Sequence, residues 1–219
     1  MLLAANSSPL RRAVGRLARR GVIDGAGGID IRRFRPDPSR RPPEVLRVVL
    51  NGRRSRPKKG TDLILRALGA LPRRAPAFEI VLFDTPGPGE ADPRVGAPLP
   101  ANARYWLGPT QSELAELYQS AHVFVAAERK AGWCNTALEA LACGCAVACT
   151  RSGTTDFARD GETAIVIPFR LAWFVSHAAR RLLADRALRE RLAAAGPGEA
   201  ARWTWTALAS RLLDQVAAG

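Results

Sequence analysis

Residues that usually announce a membrane or metal protein are scarce in this chain. Across 219 residues no apolar run approaches the ~20 needed to cross a bilayer. Histidine occurs only at His122 and His177, and no D-x-D carboxylate pair is present. The four cysteines, Cys134, Cys143, Cys145 and Cys149, crowd into one segment without the C-x-x-C spacing of structural zinc sites. That favours cysteine as a small apolar residue on a buried strand over a metal ligand. The opening MLLAA is too short and too uncharged at its start for a secretory signal. The expectation is a soluble, intracellular protein with no metal or other cofactor, and with enough apolar residues for a real core.

Lysine is scarce too, three residues against 30 arginines, yet the net charge is +13. Residues 1–60 hold 16 Lys and Arg against 4 Asp and Glu, whereas residues 61–219 hold 17 against 16. The basicity therefore belongs to the N-terminal quarter. Such an arm attracts RNA, anionic lipid or phosphorylated substrates, and charge alone does not choose among them. Stacking on single-stranded nucleic acid needs aromatics among the cations, and the arm has only Phe34, so nucleic acid is disfavoured.

SSPLRRAVGRLARRGV carries a helix start, with Ser7 or Ser8 as N-cap and Pro9 at the first helical position. Leu10, Ala13, Val14, Leu17 and Ala18 form an apolar stripe, and Arg11, Arg12, Arg16, Arg19 and Arg20 fill the other faces. An amphipathic helix over residues 7–20 suits a peripheral position on an anionic membrane surface. DGAGGID and RRFRPDPSRRPPE follow as a linker, with a new domain expected near Val45.

From there apolar strands alternate with helices. LRVVL, FEIVLFD, RYWLG, HVFVAA, CAVACT and TAIVIP read as strands. TDLILRALGALPRR, with Thr61 as N-cap, SELAELYQS and NTALEALAC read as the helices between them, and the tail as three more helices. The pattern predicts an α/β fold, a Rossmann-like parallel sheet covered on both faces. Ligands of such sheets bind at the carboxyl ends of the strands, where helices begin.

Two segments fall on that edge. NGRRSRPKKG places Gly52 and five cations, Arg53, Arg54, Arg56, Lys58 and Lys59, after the first strand, in a form suited to phosphate oxygens. The competing reading is a solvated loop. ERKAGWCNTALEALAC carries a loop, Gly132-Trp133-Cys134-Asn135-Thr136, whose backbone amides can face an anion. Glu139 lies too deep in the following helix to be an N-cap; a carboxylate there can accept hydrogen bonds from a ribose diol, or be merely a surface glutamate.

These segments, in this order, resemble the C-terminal, donor-binding half of GT-B glycosyltransferases of family 4, the group 1 transferases. That family's G-R-L-x-x-x-K-G loop and E-G-F-G-x-x-x-x-E-A-M-A-C-G-x-P-V segment find counterparts in NGRRSRPKKG and AGWCNTALEALACGCAV. LAELYQSAHVFVAA, RSGTTDFARDGETAIVIP and RWTWTALASRLL extend the likeness, as do NSSPLRRAV and GGIDIRRFRPDP at the N-terminus. The resemblance implies three regions: residues 1–42 as the remnant of an acceptor domain and its linker, 43–198 as the nucleotide-sugar domain, and 199–219 as a closing helix. It implies a retaining hexosyl transfer from a nucleotide sugar such as a UDP- or GDP-sugar, in the cytoplasm and without a metal. Arg54 and Lys59, with Arg53 sharing the part of Arg54, would neutralise the donor diphosphate. Gly132 to Thr136 would hold its phosphates and Glu139 its ribose.

The departures are specific. Ala131 stands where the family has its first glutamate, and Glu128, three residues earlier, is the expected substitute. His122 replaces an aspartate, and Asp84-Thr85 replace a glycine. Only the tail of an acceptor domain is present, so a partner chain, or self-association through exposed apolar surface, is expected to complete the cleft. The alternatives are a nucleotide-binding module without turnover, and a basic RNA- or membrane-associating protein acting through residues 1–60.

Overall fold

A computed structural model describes residues 3–16, 21–42, 44–72, 75–89, 92, 94 and 98–217. Two short strands, β1 (Leu3–Ala5) and β2 (Val22–Asp24), flank α1 (Ser8–Gly15). Then come β3 (Leu46–Asn51), α2 (Thr61–Gly69), β4 (Phe78–Asp84), β5 (Ala103–Leu107), α3 (Gln111–Ser120), β6 (Val123–Ala126), α4 (Asn135–Ala142), β7 (Ala146–Thr150) and β8 (Ala164–Ile167). Three helices close the chain: α5 (Ala172–Ala184), α6 (Arg186–Ala200) and α7 (Trp205–Ala217).

Six strands form one sheet in the order β5-β4-β3-β6-β7-β8, every pairing parallel. Its central strands are apolar at successive positions because both faces are covered: Val48, Val49 and Leu50 of β3 are fully buried, as are Val123, Phe124 and Val125 of β6. One face packs on α2, α5 and the first half of α6 through Ile64, Leu68, Val175, Ala179 and Leu192. The other packs on α3 and α4 through Tyr118, Leu138 and Leu141, joined by Ile29 and Phe34 of the linker.

Several local expectations give way to tertiary contacts. Helix α2 starts after Gly60, which takes a left-handed φ of 81°, and Thr61 is not its cap. The Thr61 hydroxyl donates instead to the Asn51 carbonyl at 3.0 Å, tying helix to strand. The helix ends at Gly69 rather than at Arg74; Arg73 and Arg74 lie outside the described residues. Helix α6 continues through Gly196-Pro197-Gly198, because Gly196 abuts α4, where a Cβ would meet the Leu141 carbonyl oxygen at 2.6 Å. Only Cys149 of the four cysteines sits on a strand, although all four are buried.

The N-terminal pair β1 and β2 forms a separate parallel ribbon that the sequence pattern did not announce. Ser7 caps α1 as expected, accepting from the Leu10 amide. Leu17, Ala18, Arg19 and Arg20 of the amphipathic stripe lie outside the described residues. Helix α7 leaves the six-stranded sheet and packs on this ribbon. Gln215 accepts from the Asp24 amide at 2.7 Å, and Arg211 donates to the Ala26 carbonyl while covering the Trp203 ring.

Candidate functional site

The chain runs outward from β3 in both directions: β3 leads to β4 and β5 on one side, β6 to β7 and β8 on the other. Connections after β3 and β6 therefore diverge to opposite faces and leave a crevice at the carboxyl ends of these neighbours. The cationic loop follows β3 and the Gly-Trp-Cys-Asn loop follows β6, so the fold brings together the two segments singled out in the sequence.

Gly52 begins the first loop, buried, its amide donating to Phe83 O at 2.7 Å and its carbonyl accepting from the Tyr105 hydroxyl at 2.9 Å. A 3-10 turn over Pro57–Lys59 then delivers Gly60 against β6, where any Cβ would collide with the Ala127 carbonyl. The cations of the loop separate. Arg53 turns to the end of β4, where its Nε lies 2.9 Å from the buried Asp84 carboxylate and its guanidinium also reaches Thr85 O. Arg54 turns to α2 and pairs with Asp62 at 2.7 Å. Lys59 reaches across to the β6 loop, with Nζ 2.8 Å from Glu128 Oε1. A cavity of about 310 Å³ lined by Arg53, Arg54, Arg56, Gly60 and Arg170 opens on the α2 side of the turn.

Glu128 is buried, and the loop does bend it inward. Its backbone carbonyl accepts from the Thr150 hydroxyl at 2.8 Å, and its carboxylate accepts from the Cys134 thiol at 3.6 Å. Lys130 next takes φ 65°, a left-handed turn in a non-glycine residue, which stores strain at the site. The Ala131 amide donates to Ser152 Oγ at 2.7 Å and the Cys134 amide to Gly153 O at 2.8 Å. The Cys134 amide is thus satisfied within the protein, which corrects the expectation that it faces an anion. Trp133 packs between Phe157 and Trp203, with centroids 5.2 and 5.1 Å away, so its ring builds the wall of the loop. Asn135 and Thr136 open α4, whose N-terminus has no side-chain cap. Burial pushes the Cys134 thiol up to about 12, far from a nucleophilic thiolate.

Glu139 is no surface residue. It is half-buried on α4 and accepts from the Tyr118 hydroxyl at 3.3 Å. Tyr118 is itself fully buried among Phe34, Phe83 and Phe124. This apolar surround raises the Glu139 carboxyl to about 7, with the tyrosine hydrogen bond only partly offsetting it.

Four contributors escaped sequence reasoning. Ser152 and Gly153 (φ 74°), from the turn after β7, hold the β6 loop from behind. Asn6 approaches Gly132 so closely that a Cβ there would lie 2.7 Å from its Oδ1. Arg170, after β8, donates to Ala127 O at 2.7 Å and Pro57 O at 2.8 Å, bracing both loops at once. The Ser-Gly pair was findable, since it follows a parallel strand next to β6; Asn6 and Arg170 act across long sequence distances and leave no local signal. Among the described residues, no three of His, Cys, Asp and Glu come together as a metal site.

The model of the family "Glycosyl transferases group 1" matches residues 35–198. A D-inositol 3-phosphate glycosyltransferase of Streptomyces bingchenggensis is 30% identical over 210 residues, covering 87% of this chain and 46% of that protein. Its Frankia alni counterpart is 31% identical, covering 86% and 51%. The chain thus spans about half the length of the curated relatives it matches. In fold it is similar to HepE of Anabaena in complex with UDP and glucose, with a TM-score of 0.83 at 16% identity over 100% of this chain and 63% of that one. The C-terminal domain of a group 1 glycosyl transferase from Francisella tularensis matches with a TM-score of 0.62 at 19% identity, covering 80% of this chain and 97% of that domain.

Proposed function

The chain belongs to the group 1 glycosyl transferases, and on that premise we propose that it is the donor half of a retaining enzyme that transfers a sugar from UDP. One observation carries the proposal: Lys59 and Glu128, from the two loops of the switch-point crevice, meet at its floor. In this reading the β- and α-phosphates lie over the 3-10 turn and the uncapped start of α4. Lys59 supports the departing diphosphate, with Arg53 and Arg54 adding fixed charge behind it, so no metal is required. Glu128 faces the anomeric carbon in place of the glutamate missing at Ala131. Glu139 accepts from the ribose hydroxyls. The choice of UDP rests on the HepE complex, whose fold this chain shares.

Turnover needs an acceptor half. Its docking surface in this proposal is α7 with the ribbon: no residue of α7 is buried, and Trp205, Leu213 and Val216 are 61, 71 and 54% exposed. An inositol phosphate acceptor is suggested by the relatives' names and would be bound mainly by that half. The test is thermal stability with UDP, UDP-glucose, GDP and ADP. A ligand at ~100 times its Kd stabilises by about 2.7 kcal/mol. A shift with UDP compounds alone, lost in Glu139→Ala and Lys59→Met, is expected; no shift with any nucleotide overturns the proposal.

A second reading, nucleotide binding without turnover, is favoured by Cys134. It stands where the family pattern has a second glycine, and its side chain fills the space between Glu128 and Thr136. Sugar release from UDP-glucose by the chain combined with an acceptor half separates the two.

A further inference from the structure

Beside the proposed donor site, on the same edge of the sheet, lies a second surface whose apolar side chains that site does not use. After β8 the chain reads PFRLAWFVSHA, and from Thr163 to Ala184 it has no acidic residue. Phe169, Leu171 and Trp173 are 61, 59 and 67% exposed, three large apolar side chains within five positions. Isolated exposed apolar residues need no explanation, but a contiguous group does. These rings are also braced. Phe174 lies 5.1 Å from Phe169 and 4.8 Å from Trp173, and Trp173 stacks on His177 at 5.5 Å and 16°.

The ledge is bolted to the cationic turn. Arg170, between Phe169 and Leu171, reaches back to Pro57 O and Ala127 O. This sets the rings beside the exposed Arg56 and Lys58, and close enough to Arg129 for that charge to act on Arg170. Residues 52–61 contain no acid either. Two acid-free segments, one aromatic and one cationic, are thus held side by side.

We infer that this ledge rests on an anionic lipid surface. Trp and Phe are the side chains that partition into the headgroup boundary, and flanking cations meet anionic lipid there. A second copy of the chain would set like charges face to face and is disfavoured. An acceptor half docked on α7 and the ribbon is disfavoured by position. The ledge lies at the start of α5, on the α2 face of the sheet, whereas Trp203 and the linker that lead to the ribbon pack on the α4 face. The contact we infer thus lies at residues 169–177.

The test is flotation of the purified chain with phosphatidylglycerol-containing and pure phosphatidylcholine vesicles, plus quenching of tryptophan fluorescence by brominated lipid. Binding to the anionic vesicles is expected, with a residue surviving high salt that the rings supply. Phe169→Ser with Trp173→Ser should cut partitioning about tenfold or more and abolish that salt-resistant part, with unchanged melting because both rings are exposed. Arg56→Ser with Lys58→Ser should lower binding at low salt only. Absence of binding overturns the inference, as does equal binding by the ring variant, which would place the contact on the N-terminal arm. A dimer on gel filtration that the ring variant disperses would assign the ledge to a second copy and overturn it equally. Nucleotide-induced stabilisation should be the same in ring variant and parent, so this result and that for the donor site stand apart.

Discussion

Lys59 and Glu128 stand 2.8 Å apart, although 69 residues separate them in the chain. Each closes one of the two loops at the switch point, and the carboxylate is nearly inaccessible to water. The pair ties the two loops together by opposite charges. A donor diphosphate would compete with Glu128 for the ammonium, so donor binding and rearrangement of this pair are coupled in the proposed mechanism.

Lys59→Met strands the Glu128 carboxylate beneath the loop. A fully buried charge left alone costs about 3–5 kcal/mol; with Lys59 partly exposed, a loss of about 2 kcal/mol is expected in urea denaturation. Lys59→Met with Glu128→Gln should recover most of it. If the double variant is no more stable than Lys59→Met, the pair is not what holds the loops.

Glu139 links function to pH. Its folded value of about 7 lies above the ordinary 4.5, so its contribution to stability is complete below 4.5 and is lost as pH rises through 7. Glu139→Gln should match the parent in acid and exceed it by up to about 3 kcal/mol above pH 8. The same change should abolish the UDP-induced shift, so the glutamate is destabilising at the pH where it would bind ribose. Urea melts of both proteins across this range check it.

His122 acts in the opposite sense. Its Nδ1 accepts from the Arg47 amide at 3.1 Å, and burial with Arg41 and Arg189 nearby lowers it to about 4. The folded value lies below the ordinary 6.5, so stability is present above 6.5 and lost as pH falls through 4. His122→Asn keeps an acceptor without the titration and should flatten that acid loss, by up to about 3 kcal/mol. Parallel acid denaturation of parent and variant is the measurement.

Gly60→Ala should destabilise by about 2 kcal/mol or more, because φ is 81° and the new Cβ meets the Ala127 carbonyl. It should also weaken UDP binding by pushing the 3-10 turn away from β6. A variant with parental stability and parental UDP response would show that the turn accommodates a side chain.

Much of this was legible in the residues themselves. Strands with apolar residues at successive positions, such as LRVVL and HVFVAA, can only be buried on both faces, and their alternation with helices implies a parallel sheet. Gly52 after β3 and Gly132 before α4 marked the two loops that meet at the switch point, since a glycine there permits close backbone approach. The helix ends were less legible: Thr61 carries a good N-cap signal, but its hydroxyl is taken by Asn51, a partner ten residues upstream.

The sequence by itself determined the order of elements, the family pattern and the edge of the sheet on which the chemistry-bearing residues fall. The order and the edge follow from periodicity and spacing, which act over a few residues, and the family pattern from the resemblance of its motifs. Only the tertiary structure decided which carboxylate each cation meets: Asp84 for Arg53, Asp62 for Arg54 and Glu128 for Lys59. It likewise decided that Glu139 lies against Tyr118 and that Arg170 braces both loops. Side-chain pairing depends on distances between strands that neighbour in space but not in sequence, and no local pattern encodes those distances.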